Sequence, residues 1–370
     1  MPSILSTARL ERLPNFTLPF DFSKYTWTQV ALVATPVFVI LINTPSLIRS
    51  YRTFIEIGPG GLPHNPLGFL IQTTLSLIAR TDTRAVPPPY YYIPSPYSSL
   101  DQPTNTGPST TTTSSTTKKI IDPTVVAFYA PLGQTSFLFP LHPQEDNNED
   151  NNNNNGTLPP RSGSRPDVPG LVVPQRQTTE KGGPELVRRM ERFLVELAEA
   201  NGGGGAAAAG SGGGDGGKGQ EGALLEMKPS GLEGKRHQAL FLRESGLTKE
   251  VDSEKKDGDE KKKEKEKEDD DRAVRIPKFM GGVGGEIAHV HPEGSSHVTL
   301  SLVDAEEAVA KGWAERHRLS GVRKILPWSY IMVYAPRDDD EFAVWQRLVV
   351  AGCRFVSGGR TIEIPSKKVA

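Results

Sequence analysis

The pattern of hydrophobic and polar positions is most regular in the last quarter of the chain. Apolar and polar residues alternate in Glu286–His291 and again in His297–Leu302, and turn-forming residues separate the two runs. A period of two is typical of strands with one buried face. The pattern therefore predicts a β-hairpin in which Ile287, His289 and His291 lie on one face.

Helical spacing follows the predicted hairpin. Apolar residues recur every three or four positions from Ala305 to Gly312, and Asp304 with Glu307 suits a capped helix start. An apolar, β-rich run then precedes a second helix that would bury Trp345. The order strand, strand, helix, strand, helix predicts an α+β fold, in which a small antiparallel sheet has helices on one face.

Residues 27–48 form an almost uncharged segment near the other end of the chain. As a helix they would span roughly 33 Å, against about 30 Å for the hydrocarbon core of a membrane. Aromatic residues precede the segment, and Arg49 and Arg52 follow it, as at the two surfaces of a bilayer. We therefore expect a single transmembrane helix that precedes the fold, rather than a cleaved signal peptide or a buried core helix. The protein would be a single-pass membrane protein, in either orientation, with the lipid bilayer as a partner.

Composition divides the rest of the chain. The 37 glycines and 31 prolines, with only 36% hydrophobic residues, indicate segments that cannot bury enough apolar surface to fold. We expect these low-complexity segments to be long disordered insertions. In chain order, the predicted parts are an N-terminal tail (1–26), the anchor (27–48), a juxtamembrane helical segment (49–80), a low-complexity insertion with short strands (81–163), a folded part (164–200), a Gly/Ala linker (201–222), a strand-containing part (223–247), a charged linker (248–273) and the core of the domain (274–362).

Charge and cysteine content narrow the class of protein. The formal net charge is -1, so no basic field indicates nucleic-acid binding. The one cysteine, Cys353, cannot form an intramolecular disulfide, and its apolar neighbours predict a buried position. The fold therefore does not depend on an oxidising compartment.

Histidines supply the candidate chemistry. Four of the seven, His289, His291, His297 and His317, lie in the last quarter of the chain. Imidazole titrates near neutral pH and binds metals, so the His-x-His pair and a third histidine across the turn can meet at a ligand, a proton or a metal ion. The alternative is that they only form hydrogen bonds within a half-buried sheet. Spacing alone leaves these interpretations open.

Five short motifs resemble the fungal luciferase family. They are Arg52–Pro59, Glu286–His291, Lys311–Trp313, Glu315–His317 and Tyr334–Arg337, and they occur in the family's order. The chain departs from the family pattern directly after two of these motifs. Ala314 stands where a glycine is usual, and Arg318 stands where a proline is common. It is the combination of motifs that indicates the family.

The resemblance implies a function as well as a fold. Bioluminescent members oxidise 3-hydroxyhispidin with O2, and they have no known metal or organic cofactor. The resemblance therefore implies a membrane-anchored, cofactor-independent oxygenase for a phenolic or pyrone-type small molecule, with no metal site. A histidine would remove a proton from the enol, and an arginine would stabilise the anion. The implied catalytic residues are His289, His291, His317, Arg316 and Glu315, and the implied substrate-binding residues are Glu286, His297, Trp313, Tyr334 and Arg337.

Two other functions remain consistent with the sequence. One is a non-catalytic, membrane-tethered domain that binds a small molecule or a protein, which the long low-complexity segments suit equally well. The other is a metal-dependent hydrolase that uses His289, His291 and His297. Residue spacing does not separate these functions from the oxygenase.

Overall fold

The protein is described here by a computed structural model. It describes residues 26–92, 120–141, 157–203, 223–244, 274–323 and 325–365. The predicted charged linker lies outside the described residues, as do nearly all of the N-terminal tail and the Gly/Ala linker and much of the 81–163 insertion. The chain divides into two compact units, Met1–Thr53 and Phe54–Ala370.

The first long helix, α1, spans Trp27–Ile57. Within the described parts of the chain, no helix combines the length and the apolar character needed to cross a membrane. The predictions of a transmembrane helix over residues 27–48 and of a single-pass membrane location are therefore wrong. The helix continues past the predicted segment through charged Arg49, and it carries Asn43, whose side chain needs hydrogen-bond partners that hydrocarbon does not offer.

A six-stranded antiparallel sheet is the centre of the second unit. The strands β1 (Tyr91–Tyr92) and β2 (Ile120–Ile121) pair separately from it. The strands of the large sheet are β3 (Leu225–Pro229), β4 (Gln238–Leu242), β5 (Glu286–Val290), β6 (Ser296–Thr299), β7 (Ala314–Arg316) and β8 (Tyr330–Val333). Their spatial order is β3-β4-β5-β6-β8-β7, with every neighbouring pair antiparallel. The α+β class with an antiparallel sheet is thus confirmed.

Five further α-helices lie in the described part of the chain. They are α2 (Pro66–Ser76), α3 (Pro123–Phe128), α4 (Pro184–Ala198), α5 (Leu302–Ala310) and α6 (Asp339–Val356). Side chains that accept backbone N–H groups fix where most of them begin. At α5 this residue is Ser301, which precedes the predicted start at Asp304. The Asp304 carboxylate instead accepts hydrogen bonds from Ser136 and Phe137.

The register of the sheet gives it two distinct faces. One row of residues in register is His289, His297, Met332 and Glu315, and the next row is Ala288, Val298, Ile331 and Arg316. Successive strand residues point to opposite faces. We call the face of the first row the histidine face and that of the second row the helix face. Helix α6 packs closely on the helix face. A Cβ atom added to Gly352 of this helix would lie only 3.2 Å from Val298 Cγ1 on β6.

Trp345 joins three elements of the core. Its ring packs edge-on against Phe193 of α4 and stacks on Phe342 of α6. Its Nε1 donates a hydrogen bond to Ser296 Oγ on β6 at 2.9 Å. Only 1% of the residue is exposed. This side chain holds α4 and α6 against the strand that carries His297.

Candidate functional site

Three histidines form one cluster on the histidine face. His289 on β5 lies directly opposite His297 on β6, and His291 follows the end of β5. The centroids of the three rings lie between 4.9 and 5.2 Å apart. All three residues are buried. The hairpin therefore brings these predicted site residues into mutual contact inside the protein.

A β-bulge brings Glu286 to the same cluster. The register between β4 and β5 shifts by one residue, which leaves Ile287 as an extra residue on β5. The shift reverses the side-chain alternation, so the Glu286 carboxylate accepts a hydrogen bond from His289 Nδ1. Ile287 instead approaches Gly352 on the helix face. The prediction that Ile287 shares a face with His289 is therefore wrong.

Each Nδ1 atom of the cluster faces a hydrogen-bond acceptor. The acceptors are the Glu286 carboxylate for His289, the Ser295 hydroxyl for His291 at 2.8 Å, and the Ile331 carbonyl oxygen for His297 at 3.3 Å. The Ser295 hydroxyl donates its own hydrogen to Glu293 Oε1 at 2.5 Å, so its oxygen is free to accept from the ring. Each Nδ1 therefore carries a hydrogen, and Nε2 is the nitrogen with a free lone pair.

The Nε2 atoms of two histidines converge beside a carboxylate. His289 Nε2 and His291 Nε2 lie 3.1 Å apart. Glu233, in the turn between β3 and β4, places its Oε1 3.8 Å from the first and 3.7 Å from the second. Its Oε2 accepts a hydrogen bond from Arg176 Nη2 at 2.6 Å. Two lone pairs at this separation repel each other unless a proton or another cation lies between them.

These residues constitute one buried unit. We call His289, His291, His297, Glu233, Glu286 and Arg176 the histidine centre. Burial lowers the pKa of His289, but the adjacent Glu286 carboxylate outweighs burial and the pKa is raised. Burial also lowers the pKa of His291, here in spite of nearby Glu293. Burial acts to raise the pKa of Glu233, but the neighbouring histidines and arginine lower it. These pKa shifts favour His289 over His291 as the carrier of a proton shared between the two Nε2 atoms, and they favour the ionised form of Glu233.

His317 and Tyr330 extend the histidine centre along the sheet. The His297 ring stacks on Tyr330 with centroids 4.7 Å apart, and the His317 ring lies 5.2 Å from that of His297. Burial lowers the pKa of His317 to about 3. Burial, with Glu286 and Glu233 nearby, raises the pKa of Tyr330 well above its usual value. Both side chains are therefore neutral at neutral pH.

Glu315 and Tyr334 belong to a second polar cluster. Glu315 accepts hydrogen bonds from Arg84 Nε at 2.7 Å, from Gln175 Nε2 at 2.8 Å and from the Tyr334 hydroxyl at 3.1 Å. Met332 separates Glu315 from His297 in the register of the sheet. The carboxylate thus ties loops to β7 and is not brought to the histidines.

Three other predicted site residues lie apart from the histidine centre. Arg316 is on the helix face, where its guanidinium donates to two backbone carbonyl groups. Trp313 Nε1 donates to another backbone carbonyl at 2.6 Å. Arg337 forms an ion pair with Glu341. Each has a structural role, whereas Arg176 pairs with the Glu233 carboxylate of the histidine centre.

Sequence reasoning missed part of the centre because it comes from distant segments. Arg176 and Glu233 precede the His-x-His pair by long stretches of chain, and Ser230 Oγ donates to Glu286 Oε2 at 2.9 Å. Arg176 lies in the run Pro174–Gln177, and the weaker similarity of this run to the fungal luciferase family is the one signal that could have indicated it. Glu233 sits in a turn between two strands, where a charged residue has no distinctive pattern.

Replacing Arg176 by methionine is expected to lower the free energy of unfolding by about 3 kcal/mol. The side chain is 2% exposed, and its guanidinium donates to the Glu233 carboxylate and to backbone carbonyl groups. Methionine keeps the volume but leaves a buried carboxylate without its cation. Urea unfolding measures the change.

The matched control for this prediction is Arg188→Met. Arg188 is 59% exposed and pairs with Glu185 on the surface of α4. Exposed ion pairs contribute little. We expect no measurable change in the urea midpoint. Equal midpoints for the two variants would contradict a stabilising role of the buried pair.

Comparison with known families identifies the part of the fold that carries the histidines. Residues 284–352 match the family model described as the luciferase domain. The matched residues contain β5, β6, α5, β7, β8 and most of α6. Residues 284–352 are therefore similar to the luciferase domain, and the resemblance to the fungal luciferase family is confirmed.

Individual relatives are fungal luciferases. That of Armillaria mellea is 36% identical over 85 residues, which are 21% of this chain and 31% of the relative. That of Armillaria ostoyae is 38% identical over 77 residues, 20% of this chain and 28% of the relative. That of Neonothopanus nambi is 33% identical over 86 residues, which are 21% of this chain and 32% of the relative. The alignments thus span less than a third of the relatives' length. No solved structure matches the chain.

Proposed function

We propose that this luciferase domain oxidises an enolisable phenolic or pyrone-type small molecule with O2, without an organic cofactor. The observation that carries the proposal is the pair of Nε2 atoms of His289 and His291, 3.1 Å apart beside Glu233. The similarity to fungal luciferases supports the choice of O2 as co-substrate. Positioned imidazoles are efficient proton acceptors for an acidic enol near neutral pH.

The proposed reaction begins with a proton transfer. His291 Nε2 accepts the enol proton, and the electron pair left on the substrate forms a carbon–oxygen bond with O2. The substrate carbon is oxidised, O2 is reduced to a peroxide, and the imidazolium returns its proton to the peroxide oxygen. Arg176 is suited to stabilise the anion, since its Nε has no hydrogen-bond partner among the described residues.

Burial sets a condition on this reaction. His289 and His291 are both 0% exposed, and Glu233, which pairs with Arg176, lies within 4 Å of both Nε2 atoms. A substrate reaches the histidines only when the segments that carry Arg176 and Glu233 move aside. Exclusion of water from the closed centre would strengthen the electrostatic stabilisation of the anion.

The test is O2 consumption by the purified full-length protein with 3-hydroxyhispidin and with simpler 3-hydroxypyrones. We expect O2 uptake that depends on both substrate and protein. An oxygen electrode follows the rate, and mass spectrometry identifies the oxygenated product. Absence of O2 uptake with every 3-hydroxypyrone would reject the proposed function.

A second candidate function is binding of a small molecule without catalysis. A cleft of about 470 Å³ opens on the second unit and is lined by aromatic side chains that include Tyr129, Phe279 and Trp328. This volume is typical of small-molecule sites. A ligand in this cleft would quench Trp328 fluorescence equally in the wild type and in His291→Ala. Loss of binding in His291→Ala would instead favour the histidine centre as the ligand site.

A further inference from the structure

We propose that the histidine centre binds one divalent transition-metal ion through the Nε2 atoms of His289, His291 and His297, with Glu233 as the carboxylate ligand. The inference goes beyond the proposed function and does not depend on it, because metal binding is measured without substrate. It rests on the directions of the ring nitrogens, their outer partners and the charge of the centre.

The donor atoms already lie close together. Each of the three histidines can offer one nitrogen, and these atoms all lie within 4.8 Å of one another. The separation between His289 Nε2 and His291 Nε2 is 3.1 Å. Nitrogen ligands bind zinc-like ions at roughly 2.0–2.1 Å, so two donors at about 3 Å fit one ion. Glu233 Oε1, under 4 Å from both, completes the set.

The outer partners of the histidines are those that metal sites use. A histidine ligand usually donates its second N–H to a carboxylate, a backbone carbonyl or a water molecule, which fixes the ring and its tautomer. His289 donates to Glu286, His291 to Ser295, and His297 to a backbone carbonyl. A cluster that served only as packing would not need all three Nδ1 atoms fixed by acceptors, with one nitrogen of each histidine within 4.8 Å of those of the other two.

The charge of the centre also favours a divalent cation. Three carboxylates, Glu233, Glu286 and Glu293, surround the histidines, and Arg176 is the cation paired with them. When a metal ion replaces the proton shared by His289 and His291, the imidazoles are neutral, and the three carboxylates with Arg176 leave an excess of two negative charges. Buried charges are costly unless they are balanced. One divalent ion balances this excess.

The donor set selects a transition metal over magnesium or calcium. Imidazole nitrogens suit zinc, iron, cobalt, nickel and copper, whereas calcium and magnesium take oxygen ligands. The carboxylates of Glu286 and Glu293 are directed to the Nδ1 side of the rings and are therefore not available as ligands. The expected ion thus binds mainly through nitrogen.

Binding is tested on the untagged full-length protein after chelation and dialysis. Titration with Co²⁺, followed by visible absorption, is expected to reach saturation at one equivalent, and Zn²⁺ is expected to displace the cobalt. In His297→Gln the dissociation constant should rise at least about 100-fold, because a nitrogen ligand is lost. In Glu286→Gln it should rise roughly 10- to 100-fold, because only an outer partner is changed.

His64→Gln is the matched control for the histidine count. His64 contacts backbone carbonyl groups near the end of α1 and lies outside the histidine centre. We expect unchanged Co²⁺ affinity and spectrum. If circular dichroism shows that His297→Gln is unfolded, the Co²⁺ affinity of Glu286→Gln and the metal stoichiometry of the wild type test the inference instead. Absence of Co²⁺ and Zn²⁺ binding to the wild type, or equal binding by all three variants, would overturn the inference.

An activity measurement separates this inference from the proposed function. A metal ion on Nε2 occupies the lone pair that would accept the enol proton, so Zn²⁺ is expected to inhibit O2 uptake with a midpoint equal to its dissociation constant. Activity that appears only after Zn²⁺, Fe²⁺ or Co²⁺ is added would confirm the metal site and reject the metal-free proton transfer. Binding without any activity would leave the site standing and reject the proposed function.

Discussion

The His291→Ala variant is expected to oxidise its substrate roughly 10²- to 10⁴-fold more slowly than the wild type, the usual contribution of a positioned general base. His291 Nε2 faces His289 at 3.1 Å, and its Nδ1 is fixed by Ser295 at 2.8 Å. Alanine removes the proton acceptor and leaves the elements of the sheet in place. Initial rates of O2 consumption, measured over a range of substrate concentrations, report the change in kcat.

Two controls separate a lost proton acceptor from a disturbed fold. His64→Ala removes an imidazole outside the histidine centre, and its rate should equal that of the wild type. Added imidazole should restore part of the rate of His291→Ala, because a free base can enter the cavity, whereas it should not restore a misfolded protein. A full rate in His291→Ala would show that this residue does not accept the proton.

The largest effect on stability is expected from Trp345→Ala, which should lower the free energy of unfolding by up to about 5 kcal/mol. The side chain is 1% exposed and contacts Phe193 and Phe342, so alanine leaves a large cavity between α4 and α6. It also leaves Ser296 Oγ without its hydrogen-bond donor. Chemical denaturation followed by far-UV circular dichroism measures the loss.

Trp345→Phe is the graded control. Phenylalanine retains most of the ring contacts but lacks the Nε1 donor to Ser296. The loss should therefore be near the value for one buried hydrogen bond, about 1–3 kcal/mol. If the alanine and phenylalanine variants were equally stable, the contribution of Trp345 would be its hydrogen bond, and the cavity argument would fail.

The sequence predicts the hairpin well and its details less well. Alternation in Glu286–His291 and His297–Leu302 predicts two paired strands, and the pairing is present, but the second strand ends at Thr299 and Leu302 already begins α5. The bulge at Ile287 is invisible to such a pattern because it depends on the register with β4. The three-residue strand β7 is also missed, because so short a strand has no period of its own.

Two other differences have local causes. The uncharged segment at 27–48 was predicted to cross a membrane from its length and flanks, which say little about the polar residues along the helix. Glu315 and Arg316 share a short motif, yet the strand turns one toward the histidine face and the other toward the helix face. Adjacent positions on a strand cannot serve one site, and that limits what a linear motif can indicate.

The position of Arg176 limits how the protein can be shortened. Its guanidinium reaches Ile57 and Pro59 as well as Glu233, and all of these residues lie outside the segment matched to the luciferase domain. An expression fragment cut to residues 284–352 would keep the three histidines with Glu286 and Glu293, but it would lose Arg176 and Glu233. The smallest fragment worth producing therefore starts at Phe54, where the second compact unit begins.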